Sequence, residues 1–243
     1  MNDQILKRIQ SPYPVDDLIV NQSTPVLSFG DFLNAEVFTL GINPSNLEFL
    51  NNKGELLKNN LRRLQTLSSL KAQDTNLLTH DQSKKILDGC INYFNKKPYN
   101  WFDKFSPILK AIGYSYHDTP LAVHVDLVQW STKDKWRKLS SAEKMLLINE
   151  GREFLEYQLQ SDKLHTILLN GRTVIDEFRK WSNVKLKYSH LDIPKDKRGE
   201  LVTGIYDGRV RIIGWSVNIQ SSWGVTNEDI ASLALKVKEL NKD

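Results

Sequence analysis

The residues with the clearest chemical use in this chain are polar side chains that directly follow short apolar runs. Asn43 lies in the segment GINPS over 41–45, which comes after the β-prone run 37–40. Gly41 can take backbone angles closed to other residues, Pro44 fixes its own φ, and Ser45 can cap a helix. The segment is therefore predicted to be a strand, a rigid turn and a helix start. Asn43 either presents its amide to a ligand beyond the strand or only bonds the backbone of its own turn.

Asp126 and Asn218 occupy comparable positions later in the chain. Asp126 lies in the largely apolar run 121–128, and Asn218 follows the predicted strand 209–217. An amide offers a donor and an acceptor, whereas an ionised carboxylate offers acceptors only. Asp126 either reads or activates a ligand or forms a structural salt bridge, and Asn218 either donates to a ligand or caps a strand end. His124 shares a strand face with Asp126 and either supports a site or is a hydrogen-bonded core residue.

The elements that must hold these residues alternate between strands and helices. Strands are predicted at 26–29, 37–40, 121–128 and 165–170, followed by a hairpin of 201–206 and 209–217 around Asp207-Gly208. Helices are predicted at 2–10, through the leucines of 47–67, at 82–95 and 101–113, from Gly171 to Trp181, and after the capping boxes Ser140/Glu143 and Thr226/Asp229. Residues 185–198 are predicted to be an exposed, irregular excursion. This alternation predicts an α/β fold with a mainly parallel sheet.

Size and composition are those of a globular protein. The chain has 243 residues and a net charge of +4, from 33 basic and 29 acidic residues, which permits a polyanionic partner without requiring one. Cys90 is the single cysteine of the sequence, which excludes an intramolecular disulfide and a multi-cysteine zinc or iron-sulfur site. Because no segment has the apolar length of a signal peptide or a membrane span, we expect a cytoplasmic protein without a membrane partner. We expect one domain over 1–243, with 1–24 as an N-terminal extension.

Four segments, in this order, resemble the uracil-DNA glycosylase superfamily. They are GINPS, HVDLVQWST from His124, LLNGRTV from Leu168, and NIQSS from Asn218. Mismatch-specific members of that superfamily carry GINPG in the first motif, which differs from GINPS at Ser45, and they carry Asn at the position of Asn218. The resemblance spans roughly residues 25–240. It implies a three-layer α/β/α fold with a short, mainly parallel sheet, and it implies no metal and no organic cofactor.

The resemblance also implies roles for these residues in an enzyme that flips a base out of DNA. Asn43 would hold the attacking water through its amide oxygen, and Asn218 would donate an amide N–H to the departing base. The base pocket would be formed by Gly41, Ile42, Pro44 and Phe49. For Phe49 the alternatives are stacking on the flipped base and packing in the core.

Contacts with DNA would come from the first turn and from the loop after Asn218. Ser45, Ser221 and Ser222 would bond the phosphate backbone. Trp223 would act as a wedge in the duplex, unless it is a buried residue.

Asp126 departs from the superfamily pattern, in which an Asn at the end of the second strand reads uracil. An ionised Asp126 offers acceptors only, so it suits a base edge with two N–H donors, such as that of guanine, unless it is protonated in a dry pocket. Alternatively, Asp126 is the general base that Asn43 cannot be.

These roles predict a DNA glycosylase, a DNA-repair hydrolase that cleaves the N-glycosidic bond of a damaged or modified base. The alternative is a non-catalytic module on the same fold that binds nucleic acid or a nucleobase without cleaving it. The sequence leaves open which base is recognised, whether the DNA is single- or double-stranded, and the oligomeric state.

Overall fold

A computed structural model describes residues 1–96, 98–191, 199–220 and 225–242. Its chain divides into two compact units, each assembled from three separate segments. Unit 1 comprises Met1–Phe32, Ile42–Pro98 and Val125–Ser161, and unit 2 comprises Leu33–Gly41, Tyr99–His124 and Asp162–Asp243. The single domain expected from the sequence stays a prediction.

Seven α-helices and six strands lie within the described residues. The helices are α1 Asp3–Ile9, α2 Leu67–Leu70, α3 His80–Ile91, α4 Ser106–Ala111, α5 Ser141–Leu159, α6 Arg172–Ser182 and α7 Asn227–Leu240. The strands are β1 Val37–Gly41, β2 Ala122–Asp126, β3 Thr166–Asn170, β4 Lys187–His190, β5 Glu200–Tyr206 and β6 Val210–Trp215. Short 3₁₀ helices occur at Asn46–Glu48, Asn59–Leu61, Thr75–Leu77, Tyr93–Asn95, Asn100–Phe105 and Trp136–Lys138. This α/β architecture is compatible with a three-layer α/β/α fold.

The strands form one mixed sheet in the order β2-β1-β3-β6-β5-β4. β1 pairs with β3 and β3 with β6 in parallel, whereas β5 and β4 continue the sheet antiparallel. β1, β2 and β3 are buried along their whole length. Continuous burial explains why β1 and β3 read as largely apolar runs, whereas β2 buries the polar residues His124 and Asp126 among its apolar ones.

Unit 1 is built around helices α1, α3 and α5. α1 contacts both of the other two, and Arg8 of α1 forms an ion pair with Glu150 of α5. The Arg8 guanidinium also lies over the buried Trp130 ring, 5.4 Å from its centroid. A Cβ at Gly151 of α5 would lie 2.4 Å from the Leu127 carbonyl oxygen. The absence of a side chain at Gly151 therefore lets α5 pack closely on the chain that follows Asp126.

Unit 2 contains α4, α6 and α7. α4 packs on α7, and α6 contacts β3 and β6. The predicted hairpin is confirmed, and both central residues of its turn have positive φ, 50° at Asp207 and 69° at Gly208. Two successive positive φ values are typical of the two-residue hairpin turn that Asp-Gly favours.

Most other predicted elements are confirmed within a few residues. These are α1, α3, α5, α6, α7, β1, β2 and β3, together with the capping boxes that begin α5 and α7. The helix predicted at 101–113 divides into the 3₁₀ helix Asn100–Phe105 and α4.

The strand predicted at 26–29 is wrong. The segment is buried but forms no named strand. Its backbone groups bond to separate partners and not to a neighbouring strand. The Val26 N–H donates to the Gln129 carbonyl oxygen at 2.7 Å, and the Gln158 side chain donates to the Leu27 carbonyl oxygen at 2.8 Å. An apolar run signals burial, and burial without a neighbouring strand does not make a sheet.

The helices predicted through 47–67 are also wrong. This stretch contains the 3₁₀ helices Asn46–Glu48 and Asn59–Leu61, and α2 starts at its end, at Leu67. The Asn51 side chain accepts hydrogen bonds from the N–H groups of Lys53 and Glu55, at 2.8 and 3.0 Å. Gly54 has a φ of 79°. These local bonds offer the backbone a turn in place of a helix.

The excursion predicted at 185–198 is partly a strand. Residues 187–190 form β4, which pairs antiparallel with β5 at the edge of the sheet. All four residues are exposed, as predicted, but they form a regular strand and not an irregular segment. Residues 192–198 lie outside the described part of the chain.

Candidate functional site

The first motif forms the turn that follows β1. β1 ends at Gly41, and the Ser45 hydroxyl accepts a hydrogen bond from the Leu47 N–H at 3.2 Å, which caps the 3₁₀ helix Asn46–Glu48. The predicted strand, turn and helix start are thereby confirmed. Gly41 does not have a positive φ. The prediction that the turn uses the conformational freedom of this glycine is therefore wrong, and Gly41 is the last residue of a regular strand.

The orientation of the Asn43 amide is fixed by its neighbours. Its Nδ2 donates to the Thr132 hydroxyl oxygen at 3.0 Å and to the Pro44 carbonyl oxygen at 3.2 Å. The Thr132 hydroxyl donates to the Asp134 carbonyl oxygen at 2.8 Å, so it faces Asn43 as an acceptor. Two acceptors at one end of the amide assign the nitrogen to that end and Oδ1 to the other. No residue in the described ranges donates to Oδ1, so this oxygen can accept a hydrogen bond from a water or a ligand.

Glu48, in the same unit, has a buried carboxyl group. It was not among the residues predicted from the sequence. It is 2% exposed, and its Oε2 accepts a hydrogen bond from the Tyr93 hydroxyl at 2.7 Å. Burial raises the pKa of Glu48 to about 7, and the negative charge of Asp126 acts in the same direction. The Tyr93 hydrogen bond and the positive charge of Arg63 oppose this rise in the pKa. Glu48 therefore exchanges its proton near neutral pH, where a general acid or base is most effective.

Asp126 and Arg63 complete the charged groups around Glu48. Asp126 is the last residue of β2 and is 3% exposed. Its main-chain carbonyl oxygen accepts a hydrogen bond from the buried Gln129 side chain at 2.7 Å. Arg63 donates to the Leu47 carbonyl oxygen at 2.7 Å, which attaches it to the helix that carries Glu48. Unit 1 thus combines an amide with a fixed orientation and two buried carboxyls, groups that can orient water and transfer a proton.

Asn170, the last residue of β3, organises the second predicted region, in unit 2. Its Nδ2 donates to Asn218 Oδ1 at 3.1 Å and to Gln220 Oε1 at 2.7 Å. Its Oδ1 accepts from the Trp215 indole N–H at 2.8 Å and from the Ile219 N–H at 3.1 Å. The two donors and two acceptor positions of the Asn170 amide are all used. Asn170 is therefore the centre that holds residues 218–220 at the end of β3.

Asn218 is held at the oxygen end of its amide. Besides the bond from Asn170, its Oδ1 accepts one from the Gln220 N–H at 3.0 Å, a local contact of the kind expected for a strand-end cap. A Cβ at Gly171 would lie 3.1 Å from the Asn218 Cβ. The close approach of these two residues requires glycine at 171, where φ is 97°.

The other residues predicted around the base or the DNA backbone differ in exposure. Ile42 is half-buried, and its carbonyl oxygen accepts from the Val128 N–H at 2.9 Å. Pro44 is buried and Ser45 is exposed. Phe49 is 1% exposed, which favours the core interpretation over stacking on a base.

His124 matches the core interpretation. Its Nδ1 lies 2.9 Å from the Thr39 hydroxyl oxygen, and its ring packs edge-on against Trp101 and Phe102. A histidine with a hydrogen-bond partner and aromatic neighbours is satisfied inside a fold.

The predicted residues divide between the two units. Unit 1 holds Ile42, Asn43, Pro44, Ser45, Phe49 and Asp126, and unit 2 holds Gly41 and Asn218. Ser221, Ser222 and Trp223, predicted to contact DNA, lie outside the described residues.

Two central residues, Glu48 and Asn170, were not predicted from the sequence. The sequence around each of them nevertheless contains a pattern that could have identified it. Glu48 is an acidic residue between Leu47 and Phe49, where a charge in an apolar context suggests a buried carboxyl. Asn170 ends an apolar run just before Gly171, the same pattern that identified Asn43.

Among the described residues, no group of three or more His, Cys, Asp or Glu side chains can hold a metal ion. None of the described helices is both long enough and apolar enough to cross a membrane. In comparisons with known proteins, the chain matches no family model and no curated protein.

Proposed function

We propose that the protein hydrolyses the N-glycosidic bond of a damaged or modified base in DNA. The observation that carries the proposal is the Asn43 amide, whose nitrogen is held by Thr132 and Pro44 while its oxygen accepts no hydrogen bond from a described residue. An amide oxygen fixed in this way can orient a water molecule for attack on the sugar carbon that bears the base. The resemblance of GINPS and the later motifs to the uracil-DNA glycosylase superfamily supports the same role for Asn43.

Attack by water releases a proton that Asn43 cannot take, because an amide is not a base at neutral pH. Glu48 lies in the 3₁₀ helix that follows the turn, and burial raises its pKa to about 7. In this proposal Glu48 accepts the proton, directly or through a second water. The rate of base release is then expected to rise with pH through about 7, as Glu48 becomes a carboxylate.

The other roles in the proposal follow the resemblance. Asp126 reads the base, and the acceptor oxygens of its carboxyl group suit an edge that presents N–H donors. By the resemblance alone, Asn218 would donate an amide N–H to a departing base, and Ser45, Ser221, Ser222 and Trp223 would contact the DNA.

Alkali cleavage of modified oligonucleotides tests the proposal, because alkali breaks the strand wherever a base has been released. Substrates carrying uracil, hypoxanthine, xanthine or an oxidised base are compared for the wild type and Asn43→Ala. We expect Asn43→Ala to lose about 100-fold or more of the activity on the preferred base. Asn46→Ala is the matched control, because it removes a nearby amide that bonds the Lys133 carbonyl oxygen, and it is expected to keep the activity.

The same experiment contains the outcome that excludes hydrolysis. If no substrate yields abasic sites while the oligonucleotides still bind, the protein is a non-catalytic module that binds nucleic acid.

A further inference from the structure

A polar cavity of about 290 Å³ lies in unit 1, outside the residues assigned to catalysis. It is lined by the segment 59–65, apart from Leu61, and by Lys96. Three lining side chains carry a positive charge, Arg62, Arg63 and Lys96, and none carries a negative charge. A concave surface with charges of one sign concentrates ligands of the opposite sign, so the cavity favours an anion.

Two of these cations have no partner within the part of the chain that the structure describes. The side chains of Arg62 and Lys96 form neither a hydrogen bond nor an ion pair with a described residue. The Asn59 and Asn60 amides also make no side-chain hydrogen bond to a described residue. The cavity therefore presents several donors to whatever occupies it. Arg62 is half-buried, unlike a cation that extends into solvent.

The backbone holds these donors in tight turns. The Arg62 N–H donates to the Asn59 carbonyl oxygen at 3.2 Å, and Asn59 has a φ of 52°. The Lys96 N–H donates to the Tyr93 carbonyl oxygen at 3.3 Å. Both cations therefore project from backbone positions that hydrogen-bonded turns hold, and the exposed Lys96 side chain can turn toward a ligand.

Two lining residues connect the cavity to the surroundings of Glu48. Arg63 lines the cavity and donates to the carbonyl oxygen of Leu47, the residue before Glu48. Lys96 follows the 3₁₀ helix that carries Tyr93, whose hydroxyl donates to Glu48. A ligand that binds Arg63 is thus one side chain away from the 3₁₀ helix that carries Glu48.

We propose that this cavity binds a phosphate group of the substrate. Guanidinium and ammonium groups are the usual partners of phosphate oxygens, and a guanidinium can donate two parallel hydrogen bonds to one phosphate. The cavity is several times larger than the roughly 30 Å³ that one water occupies in the liquid, so it accommodates a phosphate with bound water. The inference rests on the proposed function, since it makes the substrate a nucleotide or a nucleic acid strand and not a free nucleoside.

Binding of a fluorescent single-stranded oligonucleotide, measured by anisotropy over a series of salt concentrations, tests the proposal. The variants are Arg62→Gln, Lys96→Gln and the double variant. Lys85→Gln is the matched control for each single variant and Lys84→Gln/Lys85→Gln for the double variant, because they remove the same number of charges from exposed positions on α3 outside the cavity. Thermal unfolding of each variant verifies that it is folded.

We expect the double variant to bind the oligonucleotide about tenfold more weakly than the Lys84→Gln/Lys85→Gln control. The slope of log affinity against log salt concentration is expected to decrease by about 0.7 for each phosphate of the single strand that the double variant no longer binds. Inorganic phosphate is expected to displace the oligonucleotide from the wild type and to do so less effectively from the double variant.

A nucleoside monophosphate, used as a competitor, distinguishes the two sources of phosphate. Weaker binding of the monophosphate alone by the double variant assigns the cavity to a free nucleotide, and weaker binding of the oligonucleotide assigns it to a strand. If the double variant binds the oligonucleotide, the monophosphate and inorganic phosphate as well as Lys84→Gln/Lys85→Gln does, the phosphate site is wrong.

The two proposals fail separately. Loss of oligonucleotide binding in the double variant, without base release by the wild type, retains the phosphate site and overturns the glycosylase. Base release by the double variant with an unchanged KM, together with unchanged binding of the monophosphate and inorganic phosphate, retains the glycosylase and overturns the phosphate site.

Discussion

The Asn43 amide nitrogen lies 3.0 Å from the Thr132 hydroxyl oxygen, and that hydroxyl donates to the Asp134 carbonyl oxygen. Thr132 thereby determines which end of the Asn43 amide carries the free oxygen. A residue remote in sequence from the turn thus fixes the direction of the acceptor proposed to hold the water.

We predict that Thr132→Val lowers the rate of base release by about tenfold, because it removes one of the two acceptors that orient the Asn43 amide. Thr132→Ser keeps the hydroxyl and is expected to keep the rate. Single-turnover rates on the preferred oligonucleotide measure the effect. A Val variant as fast as the Ser variant would show that this hydrogen bond does not orient the amide during the reaction.

We predict that the stability of the wild type decreases as the pH rises from about 4.5 to about 7 because of Glu48. Burial favours the protonated carboxyl, so the folded state retains a proton in this range that the unfolded state releases. Above about pH 7 both states are ionised and the loss is complete. A shift of this size corresponds to roughly 3 kcal/mol in the free energy of unfolding.

Urea unfolding of Glu48→Gln at pH 4.5 and pH 8 measures this contribution. The neutral variant is expected to match the wild type at the lower pH and to exceed its stability by up to roughly 3 kcal/mol at the higher pH. Glu55→Gln, the same change at an exposed position, is the control and is expected to show no such difference. If Glu48→Gln is no more stable than the wild type at pH 8, ionisation of Glu48 does not lower the free energy of unfolding and the prediction is wrong.

We predict that Tyr93→Phe destabilises the protein more at pH 8 than at pH 5. The Tyr93 hydroxyl donates to Glu48 and lowers its pKa, so removal of this bond matters most when the carboxyl is charged. A hydrogen bond to a charged group contributes about 1.5–3 kcal/mol to the free energy of unfolding. Tyr188→Phe, at an exposed position on β4, is the matched control. Equal destabilisation by Tyr93→Phe at both pH values would contradict this account.

We predict that Gly171→Ala is more destabilising than Gly208→Ala. Gly171 has φ 97° and ψ 151°, a region essentially restricted to glycine, and a Cβ there would lie 3.1 Å from the Asn218 Cβ. Gly208 also has a positive φ, 69°, but a Cβ there would meet no atom within 4 Å. The Gly208 variant is expected to lose about 1 kcal/mol and the Gly171 variant about 3 kcal/mol of unfolding free energy, measured with urea. Similar losses would mean that Asn218 moves away at little cost.

The sequence correctly predicted those helices and strands that are specified by residues close together in the chain. Apolar runs identified β1, β2 and β3, the Asp207-Gly208 dipeptide identified the hairpin, and the capping boxes identified the starts of α5 and α7. Between 47 and 67, however, helical spacing of leucines was overridden by the Asn51 side chain, which bonds the backbone of a turn.

The sequence predicted which residues belong to the candidate site, but it did not predict which residues they contact. Asn43, Asp126 and Asn218 were selected because each ends or follows a strand. Their partners come from distant parts of the chain, as in the bonds from Asn43 to Thr132 and from Tyr93 to Glu48. A sequence without aligned relatives does not reveal such pairs, since nothing local to either residue specifies the other.

The division of the chain into interleaved segments has a consequence for how the protein is made. β1 leaves the ribosome early, but its neighbour β3 at Thr166–Asn170 is translated only after the last segment of unit 1, which ends at Ser161. Unit 1 can therefore begin to fold during translation, while the edge of β1 that pairs with β3 still lacks its backbone hydrogen bonds. Over that interval the nascent chain exposes a strand edge that chaperones recognise and that other chains can pair with.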